Sequence, residues 1–340
     1  MTRLRAAIIG GGNIADKNHI PALSQLSEQV ELVAVCSRDQ TKARALADKH
    51  GIEHAFDNTG ELYRQCSPDV VVICTPNNLH YPQTMEALEH NCHVFCEKPP
   101  AISGQNARDM ANLAAAKGRV LAYNFQLRQT SEWTLLTRCQ EDGLLGDIYH
   151  IKAHFLRRRG IPGWGYFTNK AMQGGGALMD LGVHVLDLAL CALGYPTPDQ
   201  VSGNTYDFIG KAGGKGLMGS WDPQTFEVED AATAYLSFPN KSSIMLSASF
   251  ALNTQTDKDR NLEIFGSKGG VKLFPFVLHT EVAGELADIQ FPYLEETDIQ
   301  LKNTAAFLDA CRGKPSNVCT AEQGAILQEI VERIYQSAAS

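Results

Sequence analysis

The chain has 340 residues, enough for two domains with cores of their own, and its 44% apolar and 20% charged composition is that of a globular protein. A net charge of −8, with no basic run beyond Arg157-Arg158-Arg159, gives no electrostatic footprint for nucleic acid. The first apolar run, residues 6–9, is too short for a signal-peptide core, no stretch is expected to span a membrane, and nine scattered cysteines without C-x-x-C spacing predict reduced, buried thiols in a cytoplasmic protein with no zinc site.

Residues 5–9 read as a buried strand running into Gly10-Gly11-Gly12-Asn13-Ile14-Ala15. This is G-x-G-x-x-A between a strand and a helix pattern. The first glycine serves the turn, the second lets backbone approach a pyrophosphate, and the small third residue lets helix and strand pack closely. Gly10, Gly12, Asn13 and Ile14 are therefore expected at a dinucleotide. A second strand, residues 31–36, ends in Ser37-Arg38-Asp39. An acid at that point would hold the ribose hydroxyls of NAD, whereas Ser37 and Arg38 can hold a 2′-phosphate. The pattern thus leans to NADP over NAD, with Asp39 free to cap the helix that follows.

Alternation continues with a helix at 41–50, a strand at 55–56, a helix at 60–65 and a strong strand at 69–74. A helix at 82–90 and a strand at 93–96 follow, then a helix at 107–117 and a strand at 120–122. Such alternation predicts a doubly wound parallel sheet that binds ligands at the carboxyl ends of its strands. Thr75-Pro76-Asn77-Asn78-Leu79-His80 and Glu97-Lys98-Pro99-Pro100 both leave strands at that end. A lysine there would lie over the reactive end of a cofactor. Read more plainly, Lys98 is a rim charge paired with Glu97, and His80 caps a helix. The boundary near Asn124 gives a dinucleotide-binding domain over 1–123 and a substrate-binding and oligomerisation domain over 124–340.

The second half opens with a helix at 132–141 and a strand at 148–156. Arg157-Arg158-Arg159 then leads to Trp164, flanked by Gly163 and Gly165. Three arginines read as a solvated edge or as a substrate clamp, with Arg158 suited to phosphate or carboxylate and Trp164 to the apolar face of a sugar ring. Next, Gly174-Gly175-Gly176 gives way to a helix apolar over most of its circumference, which predicts burial. Asp180, His184 and Asp187 fall on one face of it, within an arc of roughly 60°. They form either an internally satisfied acid–histidine set or a base with its orienting carboxylate at a pocket wall. Three ligands on one helical stripe diverge too little to enclose a metal ion.

Strands at 230–238, 242–252, 261–265 and 271–276 recur at hairpin spacing, implying an antiparallel sheet. Its outer face is expected to be covered by another subunit of a homo-dimer or homo-tetramer. Residues 211–220 form a glycine-rich loop, and Thr320 with Gln323 forms a capping box. Ile326, Leu327, Ile330, Val331 and Ile334 give the last helix one apolar face.

Four motifs, G-G-G-N-I-A at 10–15, T-P-N-x-x-H at 75–80, E-K-P at 97–99 and G-G-G-x-x-x-D-x-G-x-H-x-x-D at 174–187, stand in an order that resembles the Gfo/Idh/MocA family of NAD(P)-dependent oxidoreductases. The resemblance implies an N-terminal Rossmann domain and a C-terminal α/β domain with a large, mostly antiparallel open sheet. It implies activity on sugars, cyclitols and related alcohols or ketones, with Lys98, Asp180 and His184 as catalytic triad. Gly10, Gly12, Thr75, Pro76, Asn77, His80, Glu97 and Lys98 would line the cofactor site, and Asn124, Arg158 and Trp164 join Asp180 and His184 as substrate candidates. Gln126 departs from the family, standing where many members carry arginine, with Arg128 two residues later. The expected reaction is hydride transfer between NAD(P)(H) and a carbinol carbon, His184 acting as acid/base, Asp180 orienting it and Lys98 holding the same oxygen. The alternative is a catalytically silent cofactor-binding sensor.

Overall fold

Strands and helices alternate from the start of the computed structural model, which describes residues 2–340 and divides into two compact units. One unit holds the chain as far as Ala101, with Gln105–Gln129 and Asp298–Ala325. The other holds Ile102–Gly104, Thr130–Thr297 and Ile326–Ser340.

The first unit is built on strands β1 (Leu4–Ile9), β2 (Val30–Cys36), β3 (His54–Phe56), β4 (Val70–Ile73), β5 (His93–Cys96) and β6 (Leu121–Tyr123). They lie parallel in the order β3-β2-β1-β4-β5-β6, and the short strand Cys319–Thr320 adds antiparallel to β6. Every residue of β4 is buried, as in a strand covered on both faces. The chain winds one way from β1 and the other way from β4, which opens a crevice where the two strands end. The segment 298–325, assigned by the sequence pattern to the second domain, packs in the first unit. Its helix Ile299–Cys311 stacks Phe307 on Phe95 with ring centroids 4.7 Å apart, and Phe307, Leu308 and Val318 share one core with Ile8, Val72 and Phe95. The capping box forms: Thr320 Oγ1 accepts from the Gln323 N–H at 3.3 Å, and Gln323 Oε1 accepts from the Thr320 N–H at 3.2 Å.

The second unit carries β7 (Ile148–Arg157), β8 (Gln200–Tyr206), β9 (Ala231–Ser237), β10 (Ser243–Ser249), β11 (Lys258–Gly266), β12 (Gly270–Lys272), β13 (Val277–Val282) and β14 (Glu285–Gln290). Their order is β14-β13-β12-β11-β7-β10-β9-β8, antiparallel throughout except for the β7–β10 pair. Alternation sorts the faces. Ile151, Ala153, Phe155, Leu236, Ile244, Leu246, Leu262 and Ile264 are buried on the face against which the helix Val183–Ala192 packs, while Tyr235 and Met245 are exposed on the other. Against the sequence expectation, the 23-residue run Lys170–Ala192 is long and apolar enough to cross a membrane, but 83% of its most apolar window is buried inside the protein, as befits a core helix.

Candidate active site

In the first unit the crevice is shaped by glycine. Gly10 has φ +107°, and a Cβ there would lie 2.7 Å from the carbonyl carbon of Cys74, so the ends of β1 and β4 approach closely only without a side chain. At Gly12 a Cβ would meet nothing within 4 Å, and Gly12, Asn13 and Ile14 are all exposed. That open, side-chain-free turn at the start of a helix fits the pyrophosphate of a dinucleotide. Ser37 is half-buried at the end of β2 and Arg38 is exposed. Asp39 caps the next helix, its Oδ1 accepting from the N–H groups of Thr41 and Lys42 at 3.0 and 3.2 Å.

Thr75, Pro76 and Asn77 form the half-buried loop after β4, where Thr75 Oγ1 donates to Gln83 Oε1 at 2.6 Å. His80 is placed differently from the sequence expectation. It is fully buried beneath the loops, with Nδ1 2.8 Å from the Pro99 carbonyl and Nε2 2.9 Å from the Thr75 carbonyl. Burial pushes its pKa down against the pull of those two carbonyls. The ring therefore ties two loops together, presenting no edge to solvent. Lys98 is half-buried, whereas Glu97 beside it is buried and bonded to His19 at 2.7 Å and to Asn124 at 2.8 Å. Asn124, a substrate candidate from sequence, is only 1% exposed, so it supports the site from within the unit. Arg128 is likewise internal: it is 2% exposed and donates to Gln323 Oε1 at 2.8 Å.

In the second unit the three glycines are explained by what surrounds them. Gly174, at φ +80°, ends the short helix Lys170–Gln173. A Cβ at Gly175 would fall 2.0 Å from the Tyr335 hydroxyl, and one at Gly176 2.0 Å from the Glu229 carbonyl oxygen. This close approach lets Glu229 cap the helix that follows. Its carboxylate accepts from the N–H of Gly176 at 2.8 Å, from the N–H of Leu178 at 2.9 Å and from the Tyr335 hydroxyl at 2.8 Å. Burial pushes the Glu229 carboxyl up, partly offset by these donors. No pattern in the sequence marked Glu229, which acts from just before β9.

The helix begins with a π turn, Leu178–Gly182, a distortion frequent at functional sites. From Gly175 to Leu190 every residue is buried except Asp180 and His184, which are half-exposed. Asp187 parts from them: it is fully buried and accepts a hydrogen bond from the Tyr195 hydroxyl, the internally satisfied arrangement. No metal-binding group of histidine, cysteine and acids occurs among the described residues.

The arginine run divides. Arg158 is exposed, and Arg159 donates to the Leu252 carbonyl at 3.0 Å, an edge-of-sheet role. Trp164 is 53% exposed on its loop. Arg157, which the sequence reading placed in the run without singling it out, lies on the inner sheet face within the field of Asp180. Its guanidinium, the Lys258 ammonium and the Arg260 guanidinium sit 5.6, 5.5 and 5.9 Å from the centroid of the Phe155 ring. Burial depresses all three pKa values, and for Arg157 Asp180 opposes the shift. Such a cluster suits oxygen-rich or anionic groups. The signal was available as the alternation of Lys258, Arg260 and Leu262 along one strand face.

Residues 4–125 match the family model described as oxidoreductase family, NAD-binding Rossmann fold, and residues 133–272 match the Gfo/Idh/MocA C-terminal domain. The chain is 41% identical over 335 residues to D-glucoside 3-dehydrogenase of Escherichia coli (strain K12), covering 98% of this chain and 95% of that protein. It is 32% identical over 241 residues to dTDP-3,4-didehydro-2,6-dideoxy-alpha-D-glucose 3-reductase of Streptomyces violaceoruber, 68% of each. Its fold is similar to that of levoglucosan dehydrogenase in complex with NADH, with a TM-score of 0.86 at 20% identity over 99% of this chain and 97% of that one. The chain therefore belongs to the Gfo/Idh/MocA family of oxidoreductases, its first unit bearing the family's NAD-binding Rossmann fold.

Proposed function

We propose that the protein is a sugar dehydrogenase that moves a hydride between NAD(P)(H) and carbon 3 of a hexopyranoside. The observation that carries the reading is the pair Asp180 and His184, the two half-exposed residues along a helix otherwise buried from Gly175 to Leu190. Position 3 and the glycoside are taken from two relatives, one named a D-glucoside 3-dehydrogenase and the other a 3-reductase of a dTDP-linked glucose derivative. When bound, the nicotinamide accepts or returns the hydride. His184 takes the hydroxyl proton as the carbinol C–H bond breaks, leaving a ketone, and returns it in the reverse direction. Asp180 orients the imidazole, and the Lys98 ammonium stabilises negative charge developing on the oxygen. Asp39 is committed to its cap, while Ser37 and the exposed Arg38 remain at the end of β2, which supports NADP(H) as the preferred cofactor.

Fluorescence titration with NADH and NADPH, followed by turnover on methyl glucosides, free hexoses and inositols, tests the proposal. His184→Ala and Lys98→Met should each lower kcat by about 10²–10⁴-fold while the protein still binds cofactor. Unchanged turnover in both variants refutes the roles. A wild type that oxidises no sugar and reduces no 3-keto sugar refutes the activity and leaves a cofactor-binding sensor. Tighter binding of NADH than of NADPH overturns the cofactor preference. Exposed Tyr235 and Met245 on the outer sheet face support a homo-dimer or homo-tetramer built through that sheet, and a monomer by light scattering overturns it. Nine scattered cysteines without C-x-x-C spacing, seven of them buried, support the expectation of a cytoplasmic protein, which fractionation of the source cells would check.

A further inference from the structure

A directional chain of buried side chains within the first unit ends on Glu97. Gln129 Nε2 donates to Asn303 Oδ1 at 3.2 Å, and Asn303 Nδ2 donates to Asn124 Oδ1 at 2.8 Å. Asn124 Nδ2 donates to Gln300 Oε1 at 3.1 Å and to Glu97 Oε1 at 2.8 Å. With its oxygen accepting, Gln300 turns Nε2 toward His19 Nδ1 at 3.4 Å. His19 Nδ1 is then the acceptor, the ring proton sits on Nε2, and Nε2 donates to Glu97 Oε1 at 2.7 Å. The Lys98 backbone N–H reaches Glu97 Oε2 at 3.3 Å. His19 is fully buried, its ring set edge-on to Phe95 at 5.6 Å. A polar network this deep is costly unless complete, so its members are held to one arrangement.

We propose that His19, at the end of the π turn that follows the dinucleotide glycines, is a positioning residue that holds Glu97 as an anion and thereby fixes the charge and backbone beside Lys98. The proposal rests on the role given to Lys98 above. Burial alone would raise the Glu97 carboxyl, but His19, Lys98 and Asn124 outweigh it and hold the carboxyl below the usual range. Cys74, Cys96 and His80 also face that charge, the thiols strongly raised and His80 lowered by burial. Without the imidazole donor, burial dominates, Glu97 takes up a proton nearer neutrality, and Lys98 loses its counter-charge.

His19→Leu removes the donor, His19→Gln returns an amide N–H to the same place, and Gln300→Leu leaves the imidazole but frees its tautomer. In His19→Leu, kcat should fall by about 10²-fold through misplacement of Lys98, with the acid limb of its pH profile moved up by roughly one unit. His19→Gln should recover most of both, and Gln300→Leu should show a smaller change of the same sign. The ligand-free protein supplies a second readout. In the wild type the depressed Glu97 pKa contributes stability above the ordinary glutamate range, lost as pH falls through the folded value. In His19→Leu the raised pKa removes stability as pH rises through it. The melting-temperature gap between the two should therefore be widest near pH 7 and close toward pH 4. A gap independent of pH, or a wild-type kcat profile in His19→Leu, overturns the proposal. If His19→Leu does not fold, Gln300→Leu decides by the same two readouts. Melting needs neither sugar nor cofactor, so failure of the sugar dehydrogenase reading is distinguishable from failure of the network.

Discussion

Glu229 holds the start of the helix that presents Asp180 and His184, and removing it should loosen that helix before it affects anything else. In Glu229→Ala the N–H groups of Gly176 and Leu178 and the Tyr335 hydroxyl all lose their acceptor. Each buried donor left without a partner costs about 1–3 kcal/mol. Glu229 also lines a cavity of about 610 Å³ with Glu227, Glu332 and Tyr335, so water can reach the vacated donors and the lower end of the range applies. The sum is about 3 kcal/mol, and relief of a costly buried carboxylate trims it. Calorimetry should show the second unit melting roughly 6–12 °C lower in Glu229→Ala. Glu229→Gln, which keeps one acceptor and sets an NH₂ group against the other donors, should fall in between. kcat should drop in step with the loosening of Asp180 even at temperatures where the protein is folded. A melting temperature within about 1 °C of the wild type would show that the three bonds do not secure the turn.

Gly12→Val should melt like the wild type, because its Cβ enters open space, yet lose at least about tenfold in dinucleotide affinity as the side chain fills the pyrophosphate position. Gly10→Ala should do the reverse, destabilising the first unit by about 1–3 kcal/mol, since it combines φ +107° with a 2.7 Å clash against Cys74; equal melting of the two variants contradicts the geometry. Lys258→Met and Arg260→Met should raise the sugar KM several-fold with dinucleotide affinity unchanged, most for sugars carrying a carboxylate or phosphate, and an unchanged KM would remove the cluster from the substrate site. Burial pushes the Cys36 thiol up to about 11 and those of Cys92 and Cys311 up to about 12. Seven of the nine thiols are buried, so native protein at pH 8 should release Ellman's chromophore slowly, and rapid reaction of more than Cys191 and Cys311 contradicts the packing.

What the sequence made legible was local. The glycine turn, the all-apolar β4 and the reciprocal Thr320–Gln323 cap each need only neighbouring residues to act, and each stands as read. Strands β8, β13 and β14 went unread because they carry no regular buried face: Glu285, Leu286 and Asp288 all lie exposed, and pairing rather than burial makes them strands. The stripe Asp180, His184, Asp187 marked the correct helix but could not sort its members. That sorting depends on Tyr195, eight residues on, which claims Asp187 for the interior and leaves two side chains facing out. His80, Glu97 and Asn124 fall under the same rule. Each stands where the sequence places a site residue, yet each is buried against a partner from outside its own segment: Pro99 for His80, His19 for Glu97, and Asn303, 179 positions away, for Asn124. A motif records which residues a site requires without dividing those that reach a ligand from those that hold the others still. Burial makes that division, and here it leaves Lys98, Asp180 and His184 partly open while it closes over the polar residues around Lys98.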